Sequence, residues 1–173
     1  MIPLFEQLAK IAPDSLWLGV RLRVLIQRVS SASVEVDEEI CGEIARGLLV
    51  FVGFGQNSSV EDIAWLANKV SQLRIFPDPE GYMNLSAIDV SGEFLVVSQF
   101  TLYGDCRKGR RPSFEPAMAP VDAVKMYHLF VEEMSRVSVA PVQTGIFGAD
   151  MKVSLVNDGP VTLLLERESG KSV

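Results

Sequence analysis

The feature that most limits the possible folds is a series of short apolar segments of strand length. Val34 and Val36 alternate with polar neighbours, whereas residues 48–54 form a continuous apolar run that suits a buried strand. A third apolar segment, residues 94–97, leads directly into polar residues, and a fourth, residues 161–165, follows a Gly-Pro pair. This pattern predicts a domain that is rich in β-structure.

Two segments with helical periodicity interrupt the predicted strands. Ser59 and Asp62 have the spacing of a capping box and predict a helix start. The apolar face of this helix consists of Ile63, Leu66, Ala67, Val70 and Leu73. Pro120 can occupy the first turn of a second helix. Its inward stripe is predicted to contain Val124, Tyr127, Val131 and Met134.

The order of these elements predicts an α+β fold, with a curved, mostly antiparallel β-sheet or barrel-like core and two main helices. A strand is expected over residues 94–103, and two late strands, 151–156 and 161–166, flank a turn-prone stretch. The chain has 173 residues and no linker-like segment, so we assign residues 22–173 to a single domain.

Residues 1–21 differ from the rest of the chain. Proline and charged residues, among them Pro3, Glu6 and Asp14, interrupt every apolar run, which excludes a membrane-spanning helix. The stretch also lacks the basic start and continuous apolar block of a signal peptide, so we expect a cytoplasmic protein without a membrane partner. We interpret it as an atypical N-terminal extension or a misassigned start, and favour the second.

The composition limits which kinds of metal and nucleic-acid binding the chain can support. The sequence has one histidine and two cysteines that form no CxxC pair, a pattern that predicts no metal site. A net charge of −6 disfavours indiscriminate nucleic-acid binding. One local exception is a cationic stretch formed by Arg107, Lys108, Arg110 and Arg111. Two interpretations of this stretch stay open, a solvated basic loop and a site for nucleic-acid phosphates.

Two polar segments adjoin the strand-like runs. Ser98-Gln99-Phe100-Thr101-Leu102 follows the run 94–97, and Asn157-Asp158-Gly159-Pro160-Val161-Thr162 leads into the run 161–165. Ser98 and Thr101 carry hydroxyl groups, but no neighbouring residue supplies a general base. The chain also lacks the GxxxxGK[ST] loop of nucleotide hydrolases.

In this order the two segments resemble the signature motifs of the D-aminoacyl-tRNA deacylases. The resemblance extends over residues 22–167. It includes Ile26-Gln27-Arg28-Val29, Arg74-Ile75-Phe76, Met83-Asn84-Leu85, Arg111-Pro112-Ser113-Phe114, Thr144-Gly145 and Phe147-Gly148-Ala149-Asp150-Met151. It implies an enzyme that hydrolyses the ester of D-aminoacyl-tRNA, and also of mischarged Gly-tRNA, without a metal or other cofactor.

The resemblance also implies a homodimer with active sites at the subunit interface. A cis Gly159-Pro160 bond would enter the site of the partner subunit and exclude L-side chains, and Arg28 would support this segment. Ser98, Gln99, Phe100 and Thr101 would form the aminoacyl site and its catalytic segment.

An aminoacyl ester is already activated, so its hydrolysis needs a stabilised oxyanion more than a strong nucleophile, and backbone N–H groups at a strand end can supply this. The family resemblance favours water assisted by the ribose 2′-hydroxyl over attack by Thr101. Phe147 and Met151 would lie near the terminal adenosine, with ordinary core packing as their alternative role. Two other functions stay open: an L-alanine-specific deacylase of mischarged tRNA, and a non-catalytic nucleic-acid-binding protein.

Overall fold

The computed structural model describes residues 20–168. The interpretation of residues 1–21 therefore falls almost entirely outside the described residues, which include only Val20 and Arg21 of that stretch. The strands are β1 (Val20–Val36), β2 (Glu39–Ile44), β3 (Gly47–Phe54), β4 (Phe76–Pro77), β5 (Met83–Leu85), β6 (Glu93–Ser98), β7 (Val142–Thr144) and β8 (Lys152–Glu168). The helices are α1 (Val60–Gln72), α2 (Pro120–Val137) and one 3-10 turn (Phe100–Tyr103).

A six-stranded sheet dominates the fold, and β1 organises it. β1 pairs antiparallel with β3 through residues 22–29, with β2 through residues 32–36, and with β8 along nearly its whole length. β6 joins β3, and β7 joins β6, both in parallel. The sheet curls into a nearly closed, barrel-like core. The predicted α+β fold with two main helices is confirmed. No helix within residues 20–168 is long and apolar enough to cross a bilayer.

The two faces of β3 contribute to two different apolar clusters. Leu48, Val50 and Val52 pack in the cluster beneath α1 and α2. Leu49 belongs to the second cluster, together with Leu95 of β6. Because side chains alternate across a strand, burial of both faces explains why this segment of the sequence is continuously apolar.

A capping box fixes the start of α1, as predicted. The N–H of Asp62 donates to Ser59 Oγ (3.4 Å), and the N–H of Ser59 donates to the Asp62 carboxylate (2.9 Å). Asp62 is fully buried, and the same carboxylate accepts hydrogen bonds from Arg21 (2.8 Å) and Arg167 (3.2 Å). It therefore ties both ends of the described chain to α1.

Helix α2 begins at Pro120, as predicted. Its buried residues are Ala123, Tyr127, Phe130 and Met134. The expected stripe is right for Tyr127 and Met134, whereas Val124 and Val131 lie half-buried beside it.

Residues 20–36, of which the sequence pattern marked Val34 and Val36, form one strand because β1 passes from its β3 partner to its β2 partner without a break. Two predicted strand boundaries are wrong, each for a non-local reason. Residues 152–168 also form one strand, and its polar stretch is accommodated by register shifts opposite Gln27, Val29 and Ser31. The strand expected over 94–103 stops at Ser98, the last residue of β6 that pairs with β3.

Candidate active site

The first polar segment projects from the end of a buried strand. β6 lies between β3 and β7, and its residues 94–97 are at most 1% exposed. After Ser98, the N–H of Gln99 still donates to the carbonyl of Val52 (2.7 Å). The chain then turns: the N–H of Leu102 donates to the carbonyl of Gln99 (3.2 Å), and that of Gly104 donates to Thr101 (2.9 Å). A rigid strand therefore fixes where the 3-10 turn begins.

The N–H groups of Phe100 and Thr101 open this turn, and the first N–H groups of any helical turn have no acceptor within it. Both residues are exposed, so these N–H groups lie at an accessible end of the sheet. The side-chain amide of Gln99 donates to the hydroxyl of Thr101, which orients that hydroxyl. The turn can thus present donors to an oxygen that develops negative charge.

Gly53 permits the close approach of the turn to β3. A Cβ built at this position would lie 2.7 Å from the carbonyl oxygen of Gln99 and 3.3 Å from the Cβ of Leu102. Real Cβ atoms do not approach a backbone oxygen this closely, so any larger residue would displace the turn. The requirement is not visible in the sequence because residues 53 and 99 meet only in the folded sheet.

A mostly apolar cavity of about 400 Å³ adjoins the turn. The cavity is lined by Val52, Gly53, Phe54, Ser98, Gln99, Phe100, Phe114, Ala117, Met118, Ala119, Pro120, Ala123, Phe147 and Gly148. Phe100 is 58% exposed and meets the ring of Phe114 edge-on, with centroids 5.1 Å apart. Phe147 contributes a half-buried aromatic face, backed by Tyr127 at 5.7 Å between centroids. Burial raises the pKa of Tyr127 to about 12, so its neutral hydroxyl donates to Val96 O (2.9 Å).

The structure brings most of the predicted residues of the first segment and Phe147 to this cavity, whereas Met151 lies elsewhere. Ser98, Gln99, Phe100 and Phe147 line it, and Thr101 lies in the adjoining turn. Met151 packs instead on the second apolar cluster, where its sulfur lies close to Gly145.

The second polar segment lies within β8, and its Gly159-Pro160 pair is exposed. The Gly159-Pro160 peptide bond is cis. Arg28, only 6% exposed, holds this segment: its Nε donates to the carbonyl of Asp158 (3.1 Å) and its Nη2 to the carbonyl of Gly159 (3.3 Å). Arg28 Nη1 donates to the carbonyl of Ile75, and Nε lies 2.9 Å from the Asp158 carboxylate. The guanidinium thus bonds mainly to acceptors of the second polar segment, Asp158 and Gly159.

Asn157 is a further holding residue that sequence reasoning missed. Its side-chain Nδ2 donates to the carbonyl of Arg28 (3.0 Å) and to the carbonyl of Val161 (3.1 Å). The second bond spans the Gly-Pro pair and links the residues on either side of it. The only local signal was the position of Asn157 at the start of the motif.

The two segments are well separated within one chain. Along β1, the Gly-Pro segment lies at the level of Arg28, whereas Gly53 of the cavity wall pairs with Arg23. Five residues of extended strand span about 17 Å. Within the described residues, neither Gly159 nor Pro160 lines the cavity of its own chain.

The basic stretch forms an exposed loop just beyond the turn. Backbone hydrogen bonds between Asp105 and Ser113 (2.7 and 2.9 Å) close the loop. Arg107 makes a two-point ion pair with Asp105 (2.9 and 2.7 Å), and this pairing lowers the pKa of the Asp105 carboxyl to about 2. Lys108, Arg110 and Arg111 are exposed. Among residues 20–168, no three side chains of His, Cys, Asp or Glu gather as a metal ion would require.

Comparison with known proteins identifies the family. The family model described as D-Tyr-tRNA(Tyr) deacylase matches residues 25–166. The chain belongs to this family. A D-aminoacyl-tRNA deacylase of Thermotoga petrophila is 57% identical over 145 residues, which cover 84% of this chain and 97% of that relative. A D-aminoacyl-tRNA deacylase of Thermosipho melanesiensis is 53% identical with the same coverage.

Two solved structures share this fold. One, titled c-Myc DNA Unwinding Element Binding Protein, is 36% identical with a TM-score of 0.80, and the match covers 84% of this chain and 98% of that one. Another, titled a probable eukaryotic D-amino acid tRNA deacylase, has a TM-score of 0.74 over 84% of this chain and 99% of that one. Its sequence identity of 19% supports the shared fold alone. The members of the deacylase family thus match nearly the whole described chain.

Proposed function

We propose that this chain hydrolyses the ester bond of D-aminoacyl-tRNA and releases the free amino acid and the tRNA. The observation that carries the proposal is the 3-10 turn after Ser98, which begins at Phe100 beside an apolar cavity, so that its first N–H groups can act as donors there. Membership of the deacylase family supports the same reaction. We propose that mischarged Gly-tRNA is also a substrate, since glycine has no side chain to exclude.

The reaction needs no side-chain nucleophile. Water adds to the ester carbonyl carbon, the carbonyl oxygen becomes an oxyanion, and the turn N–H groups stabilise it; one such donor contributes about 2.7–4 kcal/mol in other enzymes. The carbon–oxygen bond to the ribose then breaks, and the ribose oxygen takes a proton. The neighbouring ribose hydroxyl is the proposed proton carrier. The hydroxyl of Thr101 accepts a hydrogen bond from Gln99 and has a structural role in this mechanism.

We propose that the Gly159-Pro160 segment selects against L-amino acids from the partner subunit of a homodimer. The separation of about 17 Å along β1 supports this arrangement, because one chain alone does not bring its Gly-Pro segment to its own cavity. β8 also exposes apolar side chains on either side of the segment, which suit a buried interface. These are Leu155, Val156, Leu163 and Leu164, between 36% and 58% exposed.

The decisive test of the reaction compares matched D-Tyr-tRNA and L-Tyr-tRNA, with L-Ala-tRNA as a third substrate. The D-substrate should be hydrolysed far faster than both L-substrates, and EDTA should leave its rate unchanged. Equal rates on both tyrosine enantiomers would contradict the selective function. Faster release of L-alanine would instead identify the L-alanine-specific deacylase.

The shared site has its own test, based on mixing two variants. Gly53→Ala disturbs the cavity, and Gly159→Val enlarges the selecting segment. If each site combines one cavity with the partner's segment, mixed dimers regain one intact site, and re-equilibrated mixtures should reach about a quarter of wild-type activity. Mixtures that stay as inactive as the parent variants, or a fully selective monomer in light scattering, would overturn the shared site.

We propose that Arg107, Lys108, Arg110 and Arg111 contact tRNA phosphates, since the loop adjoins the turn. Arg107 is already paired with Asp105, so Lys108 and Arg110 are the sharper test. The double alanine variant should lower the log–log salt slope of tRNA binding by about 0.7–0.9 per lost contact. An unchanged slope and affinity would leave a solvated loop.

A non-catalytic nucleic-acid-binding function is the second candidate, favoured by the similarity to the c-Myc DNA Unwinding Element Binding Protein. The net charge of −6 weakens this candidate. A DNA-binding titration at several salt concentrations, run beside the deacylation assay, separates the two functions.

We place the deacylase in the cytoplasm, because aminoacyl-tRNA is its proposed partner there.

A further inference from the structure

Arg23 is a buried cation directly behind the 3-10 turn. It is 4% exposed, and it lies on β1 opposite Gly53. Its Nη1 donates to the carbonyl of Leu102 (2.7 Å), and its guanidinium carbon lies 4.9 Å from the centre of the Tyr103 ring. Both contacts are made to the last two residues of the turn.

The contact with Leu102 has a direction that suits the turn. The carbonyl groups at the end of a helical turn carry partial negative charge, and a cation there is favourable. Gln99 fixes the start of the turn through its bond to Val52, and the bond from Gly104 to Thr101 lies within the local chain. Arg23 therefore supplies a hold on the far end of the turn from another strand.

Arg23 is itself fixed from β8. Its Nε donates to Glu166 Oε1 (2.7 Å), whose side chain is 32% exposed. Two separate hydrogen bonds at a planar guanidinium determine its orientation, which a lysine ammonium cannot reproduce. β8 also carries Gly159, so one ion pair links the strand of the selecting segment to the turn of the catalytic segment.

We infer that Arg23, oriented by Glu166, is a positioning residue for the proposed deacylation. It holds the carbonyl of Leu102 so that the N–H groups of Phe100 and Thr101 keep the direction needed at the ester oxygen. The inference rests on the proposed function for its catalytic consequence. A displacement of about 1 Å at such donors can lower a rate by about 100-fold, so the hold on the turn matters to turnover more than to substrate affinity.

Four variants test the inference. Arg23→Gln removes the charge, Arg23→Lys keeps it without the two-bond geometry, and Glu166→Gln removes the orienting carboxylate. Glu35→Gln is the matched control, because Glu35 forms an ion pair with Lys152 (2.9 Å) between the same two strands, away from the turn. For each variant, kcat and KM for D-Tyr-tRNA are measured, together with the ¹⁵N–¹H shifts of Phe100 and Thr101.

We expect Arg23→Gln to lower kcat by about 10- to 100-fold with KM changed less than about threefold. Arg23→Lys should recover part of kcat, Glu166→Gln should lower it by about 3- to 10-fold, and the amide shifts should move in the same order. Glu35→Gln should change neither. If Arg23→Gln does not fold, Glu166→Gln decides alone.

Wild-type kcat in Glu166→Gln with unmoved amide shifts would overturn the positioning role. A loss confined to KM would also overturn it. If the wild-type protein has no deacylase activity, the proposed function fails, while the amide shifts still decide whether Arg23 positions the turn.

Discussion

The two polar segments of the candidate site are held in opposite ways. The Ser98–Thr101 segment leaves the most deeply buried part of the sheet and is placed by backbone hydrogen bonds and by close packing on Gly53. The Gly159-Pro160 segment is exposed within β8 and is placed by two polar side chains, Arg28 and Asn157. The first segment is positioned by the core, and the second by a few directed hydrogen bonds.

This difference suits the proposed roles. Donors that stabilise an oxyanion need accurate placement, which a close-packed core provides because it is hard to deform. A segment that enters a second subunit must instead stand clear of its own core, so packing cannot hold it. The comparison predicts that steric changes will damage the first segment most, and loss of hydrogen bonds the second.

The largest expected effect comes from Gly53→Ala. The added Cβ would lie 2.7 Å from the carbonyl oxygen of Gln99, so the turn must move. We expect a fall in D-Tyr-tRNA hydrolysis of about 100-fold, measured as kcat. Gly92→Ala is the matched control, since its Cβ would meet nothing closer than 3.4 Å. Full activity of Gly53→Ala would show that the core does not dictate the position of the turn.

Arg28→Gln comes next. The substitution removes hydrogen bonds to Ile75, Asp158 and Gly159 and leaves the buried carbonyl of Ile75 without this donor. Hydrogen bonds to charged groups contribute about 1.5–3 kcal/mol each, so we expect the free energy of unfolding to fall by about 3 kcal/mol in urea titrations, and activity to fall by about 30-fold. Arg136→Gln, an exposed ion-pair control, should change stability by less than about 0.5 kcal/mol. Equal losses of stability in the two variants would show that the hydrogen bonds of Arg28 do not hold the Gly159-Pro160 segment.

Gly159→Ala separates function from stability. Within the chain, the new Cβ would meet only Asn157 Oδ1, at an ordinary 3.4 Å, so thermal unfolding should be unchanged. We expect turnover of the D-substrate to fall by about tenfold, equivalent to about 1.4 kcal/mol, because the methyl group would intrude on the aminoacyl site of the partner subunit. Wild-type activity and selectivity in this variant would remove the segment from the site.

Thr101→Ala should have the smallest effect. Its hydroxyl accepts from Gln99, but the proposed chemistry uses the backbone N–H of residue 101, which alanine retains. Activity should stay within about fivefold of wild type, since one hydrogen bond between uncharged groups contributes about 1 kcal/mol. An acyl-enzyme ester trapped on Thr101 in the wild-type protein would contradict this expectation.

The sequence predicted the elements whose signals are local. The capping box at Ser59 and the proline at position 120 gave correct helix starts, and the continuous apolar run gave β3. The extent of β1 was missed because this strand passes from β3 to β2, and the extent of β8 was missed because it follows β1 across several register shifts; no local pattern encodes either. The end of β6 was also missed, because it depends on where the pairing with β3 ends, at Ser98 opposite Val52.

For the candidate site, the motifs located residues 98–101 and 159–160 only through family resemblance. Arg23, Gly53 and Asn157 were not singled out, because their contacts join residues far apart in the chain. Gly53 meets residue 99, and Arg23 meets Leu102 and Glu166. Single residues of ordinary type carry no sign of such contacts until the sheet is formed.

The pairing of β1 with β8 has a consequence for folding during synthesis. Arg23 and Glu166, which are paired in the sheet, are 143 residues apart. At about 5–20 residues per second of synthesis, β1 waits roughly 7–30 s on the ribosome before its longest partner exists. During that interval an apolar strand edge is open to wrong partners. Sheet closure is therefore delayed until β8 has left the ribosome, and proofreading capacity appears only after translation of this strand is over.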